Sequence, residues 1–204
     1  MYCLEQVGIQ RATPWPDTFT QGDPSTRILD VFWNERRLEL ARSPKANEQL
    51  LPLPRGCDNG CENKGACVGG IPMQAALRGT SQAWDEQHDH KTPSAFAVYP
   101  SEVPRLQRWA SAVAHGLYLL GNWRVDFVVS GARVQSMDLR DPAHATVQLA
   151  KTVPNGIGWK YNRSESGCGC EPFYAINALE LISEPFEYAV DSVDDAVCLA
   201  RSII

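Results

Sequence analysis

Apolar and polar positions change rhythm several times along this chain, and each rhythm predicts an element. Over residues 27–41 the pattern is strand-like: Ile28-Leu29-Asp30-Val31-Phe32-Trp33, a turn near Asn34-Glu35, then Arg37-Leu38-Glu39-Leu40. That alternation predicts a hairpin. After Gly70 the spacing turns helical. Pro72 suits a first helical turn, and Met73, Ala76, Leu77 and Trp84 share a face up to about Glu86. Residues 94–99 (S-A-F-A-V-Y) predict a short strand.

The longest helical pattern covers residues 101–120. Ser101 can cap it and Pro104 lies in its first turn. At about 100° per residue, Leu106, Ala110, Val113, Leu117 and Leu120 form one stripe, and Gly121 supplies a stop. On this helix His115 faces away from the stripe, while Arg105 and Arg108 share the exposed side as a small basic spot or an ordinary solvated face.

A second hairpin is expected over residues 124–139, turning at Ser130-Gly131. Residues 143–153 fit helix or strand, and residues 173–182 and 185–190 read as strands. Ser192 opens a final helix whose buried face is Val193, Ala196, Val197, Ala200 and Ile204. The expected class is therefore α+β: antiparallel hairpins packed with two or three helices. The expectation is one domain over residues 1–204, with an irregular proline-bearing arm at 1–26 and loops at 56–70 and 154–172.

Composition narrows the field. With 204 residues the chain can bury a core of its own. No run approaches the ~18 apolar residues of a membrane span. The start, Met1-Tyr2-Cys3-Leu4-Glu5-Gln6, lacks a basic stretch followed by an apolar one, so the expected location is cytoplasmic. Net charge is −5, from 19 basic and 24 acidic residues. That argues against a surface built to hold phosphate backbones, and leaves nucleic acid as a partner only through a local patch.

Cysteine changes the picture most. Cys57, Cys61 and Cys67 stand at C-x3-C-x5-C spacing among glycines, and Cys168-Gly169-Cys170 follows later. Thiolates are soft donors, and in a reducing compartment a cluster of them points to a metal before disulfides. In extended backbone the two sulfurs of a C-x-C pair project to the same side. Four of these five cysteines can close a tetrahedral zinc site that staples the two loops together, with an iron–sulfur cluster as the alternative. Cys3 and Cys198 stand outside this set, Cys198 on the final helix away from its buried stripe.

A second metal candidate is His88-Asp89-His90 with Asp85 and Glu86 close by. Two imidazoles and carboxylates suit a non-haem metal enzyme, but a charged, solvated helix end explains the same residues. A Cys–His hydrolase would need Cys67 or Cys170 beside His115 or His144, and no spacing joins them. P-loop, dinucleotide and nucleophile-elbow motifs are absent from the sequence. The residues therefore favour a zinc-stapled binding or assembly subunit whose partner is a protein or a nucleoprotein complex. A metal-dependent enzyme using His88 and His90 is the alternative, and a thiol or iron–sulfur redox protein a further one.

Overall fold

A computed structural model of the chain describes residues 2–4, 16–20, 31–45, 71–76, 94–121, 123, 129–153, 157, 172–191, 193–194 and 196–200. Strands dominate. In chain order they are β1 (Tyr2–Leu4), β2 (Thr18–Thr20), β3 (Phe32–Trp33), β4 (Arg36–Arg37), β5 (Glu39–Leu40), β6 (Arg42–Ser43) and β7 (Ile71–Ala76). There follow β8 (Ala95–Val98), β9 (Tyr118–Gly121), β10 (Ser130–Asp138), β11 (Thr146–Leu149), β12 (Pro172–Ile176), β13 (Glu187–Asp191) and β14 (Ala196–Leu199). One short α-helix, α1 (Val103–Gln107), and several 3-10 turns complete the described elements.

Six strands close on themselves in the order β11-β8-β7-β12-β9-β10, because β10 pairs with β9 along one edge and with β11 along the other. The result is a small antiparallel barrel. β2 lies beside the first half of β10, at Ser130 to Ala132, and β11 beside its second half. A shift in register between Val134 and Ser136 marks the change of direction, as bulges do where a sheet must curl. β6 likewise extends β12 beyond its short pairing with β7.

Alternation along the strands separates two cores. Leu117 and Leu119, Phe173 and Ala175, and Ala132 and Val134 all join one large buried cluster. Tyr118 and Ile176, from the opposite faces of the same strands, join Phe19 in a second. This is the period of two that a pleated strand imposes. Phe96, Trp123 and Phe173 meet in the large cluster with ring centroids 5.2 to 6.0 Å apart. Each buried ring contributes about 1.5–3 kcal/mol through area alone. Val103 and Leu106 of α1, with Trp109 just after it, add to the same core.

A second sheet has the order β1-β14-β13-β5. Its β5 runs parallel to β13, whereas every other pairing among the described strands is antiparallel. The chain crosses from this sheet to the barrel at Ala41, between β5 and β6. Ala41 is fully buried; its N–H donates to the Tyr188 carbonyl at 2.7 Å and its carbonyl accepts from Asn177 N–H at 3.1 Å. Leu40 packs on both the second sheet's core and the Phe19 cluster. β3 and β4 form a separate two-residue hairpin, turned through Asn34 and Glu35 at φ 47° and 66°, the left-handed pair a tight hairpin requires.

The α+β expectation is overturned: the described chain is mostly sheet with one short helix, not hairpins packed with two or three helices. Of the helix expected from Pro72 to about Glu86, the described part, residues 72–76, lies in strand β7, paired to β8 and β12, and residues 77–86 lie outside the described residues. Pairing on both edges outweighs the weak helical preference of its sequence. The long helix over 101–120 is broken. Its helical part ends before Gly116, whose φ of 95° turns the chain, and Leu119 and Leu120 lie in β9. The expected turn residues Ser130 and Gly131 lie inside β10 instead.

Within the span of the expected final helix, Ala196–Leu199 form strand β14, and residues 201–204 lie outside the described residues. A continuous apolar run fits a buried strand as well as a helix, and Val193, expected inside, is 63% exposed. Cys198 is thereby buried, directly opposite Cys3 on β1, and the two form a disulfide. The turn at Asn34-Glu35 and the strands within 94–99 and 185–190 agree with the sequence pattern. No helix among the described residues is long and apolar enough to cross a membrane.

Candidate functional site

Where the crossing chain, the end of α1 and the turn after β12 come together, they border an open cleft of about 480 Å³. β6 supplies Arg42 and Ser43, and Lys45 follows two residues on. Arg108 and Trp109 come from the end of α1, and Glu180, Leu181 and Ser183 from the 3-10 turn Leu179–Leu181 and the loop behind it. The volume lies within the ~300–1,000 Å³ typical of small-ligand sites.

Much of the cleft's polar lining is already engaged. Lys45 Nζ donates to the Leu181 carbonyl at 2.8 Å and pairs with buried Glu187. The other Glu187 oxygen accepts from the backbone N–H groups of Ser183 and Glu184, at 2.9 and 3.1 Å. One buried carboxylate thus fixes both the lysine and the loop at 183–184, and its charge is compensated as burial requires. Glu180 accepts from Ser111 Oγ at 2.5 Å.

The two arginines differ from these. Arg42 sits with its guanidinium 5.8 Å from the Tyr174 ring centroid, a cation–π distance. Arg108 is exposed. Neither is in an ion pair with a described residue. Arg105, expected beside Arg108 in one basic spot, instead lies largely buried against Glu102 at 3.3 Å. Trp109 is buried, so it walls the cleft rather than offering its face.

Two further carboxylates shape turns outside the cleft. Asp191 accepts from Val193 N–H at 2.8 Å and Asp194 N–H at 3.3 Å, shaping the β13–β14 turn, and lies 3.0 Å from His115 Nδ1. His144 Nδ1 lies 2.7 Å from Asp141 on the exposed 3-10 turn Pro142–His144. The hydrogen bond from His144, and then that from Ala143 N–H, hold the Asp141 carboxyl below its usual range. Both histidines therefore meet a carboxylate, and neither lines the cleft.

The metal candidates Cys57, Cys61, Cys67, Cys168 and Cys170 lie outside the described residues, as do Asp85, His88, Asp89 and His90. Among the described residues no three His, Cys, Asp or Glu side chains gather as a metal site. No family model matches this chain, and no curated protein or solved structure matches it either.

Arg42 and Lys45 were not legible as site residues. They sit at the end of a hairpin and in a connector, and only the crossing at Ala41 brings them opposite α1. Chemically, the cleft's described lining offers cations and hydroxyls but no imidazole to activate Ser43 or Ser183.

Proposed function

We propose that this chain is a binding or assembly module, with the cleft at Arg42 and Arg108 as its ligand-facing site. The observation that carries this reading is the contrast within the cleft. Lys45, Glu187 and Glu180 are engaged by neighbouring groups, while two guanidiniums remain without carboxylate partners among the described residues. An exposed arginine with no carboxylate partner is available to an anionic ligand, and arginine is favoured at recognition surfaces.

Zinc held by four of Cys57, Cys61, Cys67, Cys168 and Cys170 remains part of the proposal, supported by their spacing. The Cys3–Cys198 disulfide removes the two cysteines outside that set. It also supports an oxidising compartment over the cytoplasmic one suggested by the N-terminus. In such a compartment the same five cysteines could instead pair as disulfides, leaving one thiol over. Elemental analysis of protein purified without a His-tag, with a thiol count after denaturation, separates the two. One zinc per chain supports the staple; no metal and a single free thiol contradict it.

The binding reading itself is tested by incubating the full chain with a panel of small anions, neutral solutes and short peptides. Binding is followed calorimetrically and the recovered compounds are analysed by mass spectrometry. A compound that binds and is recovered unaltered supports the module; one that binds and is converted makes it an enzyme.

A further inference from the structure

We propose that the cleft takes a small ligand through an oxyanion, a carboxylate or phosphate group, gripped by Arg42 and Arg108. This rests on the binding reading above and names its ligand class.

Charge is the first reason. The whole chain carries −5, yet three of the eight described residues lining the cleft are basic and one is acidic. Of these four charged groups, Lys45 is matched by Glu187, while the Glu180 carboxylate keeps its charge although it accepts a hydrogen bond from Ser111. Arg42 and Arg108 then outnumber the one remaining carboxylate, a net excess of one positive charge in the described lining of an acidic protein. Local fields of this kind concentrate ligands of opposite sign.

Geometry is the second. A guanidinium presents donors in a planar fork that matches the paired oxygens of a carboxylate or phosphate. Arg42 is anchored at both ends, its backbone in β6 beside β12 and its head over Tyr174. Ser43, opposite Ala175 in the same pairing, and Ser183, whose N–H is fixed by Glu187, add hydroxyl groups to the lining. Of the two guanidiniums, that of Arg42 is thereby held before an anion arrives, which lowers the ordering cost of binding.

The test is isothermal titration of the full chain with citrate and, separately, with inorganic phosphate, using glycerol as the neutral control. Arg42→Gln, Arg108→Gln and the double variant are compared with Arg140→Gln, an exposed arginine paired with Asp138 and outside the cleft. Circular dichroism and melting temperature establish that each variant is folded. The proposal expects at least one of the two anions to bind, with affinity falling as salt rises. Each single cleft substitution should weaken binding about tenfold, the loss of about 1.4 kcal/mol, and the double variant should abolish it. Arg140→Gln should bind as the parent does. Preference for citrate over phosphate assigns a carboxylate ligand, and the reverse a phosphate-bearing one.

Binding of neither anion, or equal binding by the double variant, overturns the proposal. If instead a neutral compound from the wider panel binds and its affinity drops in the cleft variants, the oxyanion is wrong while the binding module stands. If the anion binds as expected but is chemically altered, the oxyanion site stands and the module is an enzyme.

Discussion

Asn177 holds Val190 by both backbone groups: its Oδ1 accepts the Val190 N–H at 2.8 Å and its Nδ2 donates to the Val190 carbonyl at 3.0 Å. The same amide nitrogen donates to the Gly116 carbonyl at 3.2 Å. Asn177 follows β12 of the barrel and Val190 lies in β13 of the second sheet, so one side chain stands in for a strand between them. Its φ of 61° falls in the left-handed region, which asparagine tolerates better than most residues.

Replacing this side chain tests the joint. Asn177→Ala leaves Val190 and Gly116 groups unsatisfied, at about 1–3 kcal/mol for each buried group lost, and adds strain at positive φ. We expect roughly 3–4 kcal/mol of destabilisation in urea unfolding, capped by partial access of water. Asn177→Gly removes the same hydrogen bonds but not the φ preference, so it should be milder than alanine by about 1 kcal/mol. Equal effects of the two would mean the backbone conformation costs nothing there.

Gly131 and Phe19 face each other across β10 and β2. A Cβ at position 131 would lie 2.2 Å from Phe19 Cζ and 2.4 Å from Cε1, so the ring must leave its place. Gly131→Ala should cost about 1–3 kcal/mol by overpacking. In the double variant Gly131→Ala/Phe19→Ala that penalty should largely disappear, a non-additivity measured by a double-mutant cycle. Simple additivity would mean the ring does not lie over the glycine.

This pair also shows why the sequence misleads here. Ser130-Gly131 reads as a hairpin turn because glycine usually marks one. Its actual role, making room for a ring from a strand over a hundred residues earlier, leaves no local trace. The buried run at 196–199 is a similar case, since every position is apolar and no period can be read from it. Where the determinants are local, as in the Asn34-Glu35 turn or the alternation of 94–99, pattern and structure agree. The cleft was not legible for a related reason: Arg42 and Arg108 are brought together by the sheet crossing at Ala41, a tertiary feature.

The Cys3–Cys198 disulfide closes nearly the whole chain, with a sequence separation of 195. Loop-closure entropy then stabilises the fold by about 2–4 kcal/mol relative to the reduced protein. Peptide mapping without reductant should recover one cross-linked peptide pair containing both cysteines. Cys3→Ala, which removes an exposed partner, should lower the melting temperature by an amount that reductant cannot increase further. An effect of reductant on that variant would indicate a second disulfide.

Asp17 gives the fold a component of acid sensitivity. Its hydrogen bond from Arg133 at 2.9 Å, aided by Lys151 at 3.3 Å, holds the carboxyl below its ordinary value of 3.8 despite the opposing effect of burial. In the folded state it therefore binds its proton at lower pH than in the unfolded state. Its stabilising contribution is present above the unfolded value and is lost as pH falls through the folded one. Both partners are partly exposed, so the contribution should stay below about 1 kcal/mol. Asp17→Asn should flatten this part of the acid limb in urea titrations at stepped pH, and an unchanged limb would assign it to other carboxylates.

Amide chemical shifts recorded while citrate is added to the full chain locate the ligand and report its fate in one series. Shifts concentrated at residues 42–45, 108–109 and 180–183, with the citrate signals preserved over time, are the result expected of a binding module with a cationic cleft. Shifts centred elsewhere, or citrate consumed as the spectra are collected, would contradict it.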